Sequence, residues 1–332
     1  SAGLPSEALI PPMTADPTPL PATIDYPHGI VCIDTLQERC GLACCYLVGR
    51  DGEYAFIEAG TSPGVPRLLA LLDARGIPRS AVRYVIPTHV HLDHAGGAGL
   101  LLRELPDARL VVHPRGARHL VDPSKLIAGA NAVYGVDAVR RMYGEIVPVA
   151  QARVIVADDG LRLPLGTSEL LFIDTPGHAR HHFCVWDAVS RGFFTGDSFG
   201  LSYREFDGPH GVFLIPTTTP VQFEPEAWSQ TIERLLSFAP QWMYLTHFGR
   251  IGDVARLADE LRAALARYCA LARRYAQAPD RHAKLVNALT ADALARLEEL
   301  RCPLAADRAR ALLAFDMELN AQGLEVWLER GM

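Results

Sequence analysis

The chain has 332 residues, 49% hydrophobic and 21% charged, which is enough apolar material for a large core. Its formal charge of −6 and its pI near 6.1 offer no basic face to a polyanion, so a nucleic-acid partner is not expected. No apolar run approaches the ~20 residues that span a bilayer, and no signal peptide is visible, which argues against a membrane location.

The seven cysteines are odd in number and follow no repeating spacing, which argues against a disulfide framework. Cys44 and Cys45 lie in an apolar run and are interpreted as small core residues. We therefore expect a reducing, cytoplasmic location.

Residues 1–28 contain seven prolines and little periodicity, which predicts an extended N-terminal arm. From residue 29 onward, short apolar runs separated by turn residues predict strands, and Gly64–Arg75 predicts a helix that ends before Pro78. A strand over Val82–Pro87, a helix over Gly99–Leu105 and a strand over Leu110–Val112 continue an alternating α/β pattern.

Directly after the strand predicted at Val82–Pro87, four metal-competent side chains fall within six positions: His89, His91, Asp93 and His94. In an extended segment, residues i and i+2 project to the same side, so the first two histidines can bind one metal. The remaining two, past the bend, turn toward a second metal. A polar loop with scattered histidines is a poor alternative because this pattern is dense.

The motif H-x-H-x-D-H resembles the signature of the metallo-β-lactamase fold superfamily. The family pattern continues with a Gly-His, a Gly-Asp and a final His, each at the end of a strand. Here these occur in order as Gly177-His178, Gly196-Asp197 and His247, each after an apolar, β-prone run. The resemblance covers roughly residues 29–250 and implies an α/β fold, the αββα sandwich of this superfamily.

The resemblance also implies a ligand set. His89, His91 and His178 would complete one metal site, Asp93, His94 and His247 the other, and Asp197 would bridge them. Asp93 is in addition the candidate catalytic carboxylate. Two divalent ions are expected. The set offers nitrogen and oxygen ligands and no thiolate, so it accepts zinc, iron or manganese, with zinc as the first expectation.

A water between two such cations becomes a hydroxide near neutral pH and can attack a small ester, thioester, lactone or related bond. The resemblance is to the glyoxalase II-like branch, because true β-lactamases of this superfamily usually carry Cys or Ser in place of Asp197. Two alternatives stay open. One is an oxidoreductase resembling the persulfide dioxygenases, with a single iron, and the other is a non-catalytic binding protein on the same scaffold.

Two segments are expected to shape the substrate site. Residues 114–150 show no strand pattern and are interpreted as a flap or wall, and residues 198–219 form a long irregular segment that leaves Asp197 directly. Substrate or outer-shell candidates, besides the ligands themselves, are His182, Tyr203, His210 and Phe213.

Residues 251–332 contain no strand pattern and predict an all-helical C-terminal segment. The helices are expected over Val254–Ala276, His282–Leu289, Asp292–Leu300 and Ala305–Leu319, with a last turn around Leu324–Leu328. Together with the N-terminal arm, this segment makes a homodimer plausible. The only partner that the sequence otherwise implies is a small-molecule substrate.

Overall fold

The computed structural model describes residues 19–331, whose strands form two sheets. The first sheet follows chain order from β1 to β7, and the second runs in the order β13-β12-β11-β10-β9-β8. The strands are β1 (Thr23–Tyr26), β2 (Ile30–Asp34), β3 (Cys44–Arg50), β4 (Glu53–Ile57), β5 (Val82–Ile86), β6 (Arg109–Val112), β7 (Val154–Val156), β8 (Arg162–Leu165), β9 (Ser168–Asp174), β10 (Phe183–Asp187), β11 (Gly192–Gly196), β12 (Trp242–Leu245) and β13 (Gly249–Ile251).

Helices cover the outer faces of both sheets. Within the described part of the chain they are α1 (Val65–Ala74), α2 (Leu92–Ala95), α3 (Ala98–Glu104), α4 (Pro114–Val121), α5 (Ser124–Tyr134), α6 (Val136–Tyr143), α7 (Pro225–Leu236), α8 (Val254–Tyr275), α9 (Arg281–Glu299) and α10 (Ala306–Gly331). None of these helices is long and apolar enough to cross a membrane.

Successive side chains of a strand point to opposite faces of its sheet, one toward the other sheet and the next toward the outer helices. In β2, Ile30 and Cys32 pack between the two sheets, whereas Val31 and Ile33 pack with the helices outside the first sheet. A strand that is buried on both faces has to be apolar at successive positions, as β2 is. The second sheet buries its outer face against α7 to α10. The result is the αββα sandwich with a helical C-terminal extension that the sequence predicts.

The boundaries differ from the prediction at both ends. Thr23–Tyr26, within the predicted arm, is a strand that pairs antiparallel with β2, because its backbone completes the edge of the first sheet. Residues 1–18 of the arm lie outside the described residues.

The seven cysteines are all unpaired.

The C-terminal helices are longer than predicted. The two helices expected over 282–300 form the single helix α9, and the two over 305–328 form α10. Asn320 and Gly323 are residue types that often end a helix, but both are buried inside α10. The polar side chain of Asn320 and the absence of a side chain at Gly323 serve a tertiary contact rather than a cap.

That contact joins α10 to the segment before α7. Asn320 Oδ1 accepts a hydrogen bond from the Thr218 backbone amide at 2.5 Å, and its Nδ2 donates to the Pro216 carbonyl at 3.2 Å. At Gly323 an added Cβ would lie 1.5 Å from the Thr218 oxygen, so only glycine permits this approach.

We expect Gly323→Ala to lower the free energy of unfolding by about 3 kcal/mol, the upper end of typical overpacking, because backbone atoms and not a flexible side chain block the new methyl group. Urea denaturation of both proteins measures the change. Gly129→Ala in α5 is the matched control, since its Cβ would meet nothing within 4 Å. If the two variants were equally stable, the close packing of α10 would be wrong.

Candidate metal centre

The predicted ligands all emerge near the ends of strands. His89 and His91 follow β5, His178 follows β9, Asp197 follows β11 and His247 follows β12, while Asp93 and His94 belong to the short helix α2. Gly196 has a φ of +49°, and a side chain at this position would lie 2.3 Å from the Thr88 hydroxyl. Glycine is therefore needed for the turn that places Asp197.

The structure brings the seven residues together as two groups. In the first, His91 Nδ1 lies 2.8 Å from His89 Nε2 and 3.1 Å from His178 Nε2, and Asp197 Oδ2 lies 3.3 Å from that same His178 nitrogen. The candidate ligand atoms of this group are all within 4.8 Å of one another.

The second group contains Asp93, His94 and His247. Asp93 Oδ2 lies 3.3 Å from His247 Nε2 and 3.5 Å from His94 Nε2. Asp197 Oδ1 lies 3.3 Å from His94 Nε2, so the carboxylate of Asp197 presents one oxygen to each group. This is the arrangement required of a bridging ligand.

Outer contacts fix which nitrogen of each ring faces inward. His178 Nδ1 donates to the Thr217 carbonyl at 2.9 Å, and His247 Nδ1 donates to the Leu42 carbonyl at 2.7 Å. A carbonyl only accepts, so in the neutral ring each Nε2 directs a lone pair into the site. Such contacts orient metal-binding imidazoles.

The nitrogen and oxygen lone pairs of the candidate ligands point at one another with no cation between them. His94 Nε2 and Asp197 Oδ1 are buried and have no hydrogen-bond partner among the described residues. Lone pairs that converge at about 3 Å without a hydrogen between them repel, and a metal ion removes the repulsion. The residues therefore fit metal binding at both groups.

Glu58 supports the second group and was not found from the sequence. It directly follows β4 and is almost completely buried. Its Oε1 accepts hydrogen bonds from His94 Nδ1 at 2.9 Å, from the Thr88 hydroxyl at 2.6 Å and from the Thr246 hydroxyl at 2.9 Å. A carboxylate behind a metal-binding histidine fixes the ring and raises its basicity. A lone Glu after a strand gives no local signal of this role.

The two groups differ electrostatically. Burial, together with the neighbouring His178, lowers the pKa of His91 to about 3, so this ring is neutral and able to bind a metal. Burial also opposes protonation of His247, but its hydrogen bond to Asp93 and the charge of Asp197 outweigh that effect and raise its pKa to about 9. The second group thus favours a positive charge, which a metal cation supplies.

A cavity of about 370 Å³ opens onto the centre. His91, Asp93, Asp197 and His247 form its floor. Its walls include parts of the insertion at 114–150, of the segment at 198–219 and of the C-terminal helix α10, together with residues from the loop between β2 and β3 and from 220–222. The metal-facing atoms are therefore reachable by a small molecule.

Of the four substrate or outer-shell candidates from the sequence, two lie at the site, namely Tyr203 and His182. Tyr203 lines the cavity and donates a hydrogen bond to Asp316 at 3.1 Å. His182 is fully buried behind Asp197, where its Nε2 accepts the Asp197 backbone N–H at 3.2 Å. It positions the bridging residue and does not line the cavity. His181, which is not among the four candidates, does line the cavity.

The other two candidates are corrected. His210 is exposed and its Nδ1 donates to the Glu299 carbonyl at the end of α9. Phe213 is buried in the core, with its ring 5.1 Å from that of Phe206. Neither lines the cavity. A polar or aromatic residue in a long loop does not reveal by its type which way the loop folds.

Comparison with known proteins agrees with this architecture. The family model of the metallo-beta-lactamase superfamily matches residues 39–265. Metallo-beta-lactamase fold-containing protein ST1585 from Sulfurisphaera tokodaii is 31% identical over 214 residues, which are 63% of this chain and 74% of that protein. An atrochrysone carboxyl ACP thioesterase from Aspergillus fumigatus is 27% identical over 154 residues, 46% of this chain and 38% of the thioesterase.

Solved structures show the same fold. The crystal structure of ST1585 superposes with a TM-score of 0.63 at 23% identity, covering 90% of this chain and 99% of that one. The metallo-beta-lactamase family protein TTHA1429 from Thermus thermophilus superposes with a TM-score of 0.60 at 21% identity, covering 94% and 93%. From the family match, the relatives and the sandwich fold, we conclude that this chain belongs to the metallo-beta-lactamase superfamily.

Proposed function

We propose that the protein is a hydrolase that binds two divalent cations and cleaves a small ester, thioester, lactone or related bond. The carboxylate of Asp197, with one oxygen toward each group of ligands, is the observation that carries the proposal. Two cations held there would activate a shared water as nucleophile and polarise the bond that is cleaved.

The chain's own residues supply orientation and charge. His89, His91 and His178 would hold one ion, and Asp93, His94 and His247 the other. Asp93 also faces the cavity, with its side chain 24% exposed. Because nearby His94 and the hydrogen bond from His247 outweigh burial and lower its pKa, Asp93 is ionised and available to a cation. With His247 Nε2 and one Asp93 oxygen used as ligands, the other Asp93 oxygen can accept a hydrogen bond from the attacking water.

A small substrate fits the cavity, whose volume lies near the lower end of the range for small-molecule sites. The relative from Aspergillus fumigatus is named as a thioesterase, which favours acyl substrates. The completeness of the second ligand group favours two ions over the single iron of a dioxygenase-like protein. Asp197 in place of Cys or Ser disfavours antibiotic hydrolysis.

The test combines elemental analysis with a panel of thioester, lactone and phosphodiester substrates. We expect about two metal ions per chain, hydrolysis of at least one acyl substrate, and its loss by more than about 100-fold after chelation, with recovery when metal is restored. One iron per chain with thiol-dependent oxygen uptake would contradict the proposal. So would full metal loading without turnover on any substrate of the panel.

A further inference from the structure

The walls of the cavity are mostly apolar and come from opposite sides. Helix α5, which has no fully buried residue of its own, contributes Leu126, Ala130, Val133 and Tyr134. Helix α10 contributes Phe315 and Leu319, and the Phe315 ring lies 6.2 Å from the Tyr134 ring. An apolar part of a ligand is thus accommodated between the two helices, above the candidate metal ligands.

Asp316 is a charged group in this apolar wall. Its one side-chain hydrogen bond within residues 19–331 comes from the Tyr203 hydroxyl, and no Lys, Arg or His nitrogen of that part of the chain lies within 4.0 Å of it. Burial raises the pKa of Asp316 to about 6, although His247, Tyr203 and Arg39 favour its ionised form. A carboxylate without a cationic partner in such surroundings is costly, and a cationic ligand would offset that cost.

Two more groups that can accept a hydrogen bond line the same cavity. Gln37 Oε1 and Thr219 Oγ1 are buried, and neither has a hydrogen-bond partner in the described part of the chain. Neither oxygen is accessible in this side-chain conformation, so each would reach a bound molecule only after its side chain rotates toward the cavity.

Arg39, which lies over the Tyr203 ring, is paired with Glu205, and Lys125 is the one Lys or Arg of the described residues that lines the cavity. It lines the cavity from α5, but it is exposed, so solvent already satisfies its ammonium group. Asp316 is half-buried, so its carboxylate loses more hydration free energy than the exposed Lys125 ammonium group does when neither has a partner. Of these two charged side chains, Asp316 is therefore the one that gains more from a partner of opposite charge.

We infer that Asp316 is a specificity-determining residue that binds a protonated amine of the substrate, while the substrate's apolar portion lies between α5 and α10. The inference rests on the proposed function for the statement that the bound molecule is a substrate. It narrows the substrate class to amine-bearing esters, thioesters or related acyl compounds.

Binding tests the inference without turnover. The probes are N-(2-dimethylaminoethyl)butanamide and N-(3-methylbutyl)butanamide, which have nearly the same shape and differ in the protonated amine. Calorimetry on the zinc-loaded full chain at pH 7.5 is expected to show the amine binding about tenfold more tightly, because a hydrogen bond to a charged group is worth about one decade of affinity.

Asp316→Asn is expected to reduce that preference to within about twofold. Glu318→Gln makes the same change of charge on α10, outside the cavity, and should leave the preference intact. No preference in the wild-type protein, or a preference that survives Asp316→Asn, overturns the inference. Equal weakening of both probes by Asp316→Asn also overturns it, because it indicates a purely structural role. Tighter binding of the neutral probe that reverses in Lys125→Gln overturns it as well.

Hydrolysis of the matching butyrate esters separates this inference from the proposed function. Cleavage of both esters with no preference for the amine contradicts the role of Asp316 alone. Amine-selective binding without hydrolysis of any acyl substrate contradicts the proposed function and leaves the binding role of Asp316 supported.

Discussion

Asp197→Asn is expected to lower kcat/KM for the acyl substrate by more than about 100-fold, because changes to contacts outside the ligand shell already cost about 10- to 100-fold. The two oxygens of Asp197 face His178 on one side and His94 on the other. Asparagine retains one of these oxygens and replaces the other with an amide nitrogen, which is a donor and not a ligand. We therefore expect one ion per chain to be lost or weakly held.

The measurements are kcat/KM, elemental analysis and thermal unfolding of the metal-free proteins. Asp25→Asn removes an exposed carboxylate that pairs with Arg75 and serves as the matched control. The metal-free melting temperatures of both variants should stay close to that of the wild type. A fully loaded and fully active Asp197→Asn protein would show that Asp197 does not bridge two metals.

Glu58→Ala is expected to have the second large effect, on both stability and metal affinity. The Glu58 side chain accepts four hydrogen bonds: two from Thr88 (one from its backbone amide at 3.0 Å), one from His94 and one from Thr246. Thr88 follows a strand of the first sheet and Thr246 a strand of the second, so one buried carboxylate ties the two sheets together beneath the metal centre.

Removing this carboxylate leaves several buried donors without partners, each at a cost of about 1–3 kcal/mol. We expect Glu58→Ala to lose about 3 kcal/mol or more of unfolding free energy and to bind metal about 10- to 100-fold more weakly. Urea denaturation of the metal-free protein and competition with a metal chelator measure the two effects separately.

Glu58→Gln is the graded comparison. It keeps the shape and one acceptor oxygen, so it should weaken metal binding less than Glu58→Ala does. The exposed Glu104→Gln, which loses a surface contact with Arg79, should change neither quantity by more than about 1 kcal/mol. If Glu58→Ala bound metal as tightly as the wild type, the supporting role of Glu58 would be wrong.

The sequence by itself predicted the αββα sandwich, the helical extension and the residues that converge as two groups of candidate ligands. Strand patterns, and the ligand-type residues at strand ends, can be recognised from neighbouring positions in the sequence. The resemblance to the superfamily indicated that these residues meet at one site. His89 and His247 could be placed at one centre for that reason, although they lie far apart in the chain.

Only the tertiary structure decided which other residues reach the site. Glu58, Asp316 and the carbonyls of Leu42 and Thr217 carry no local pattern that distinguishes them from ordinary residues of their elements. The same limit explains why His210 and Phe213 were misplaced. Their positions depend on how a loop and the C-terminal helices pack against the sheets, and packing is set by contacts between residues far apart in the chain.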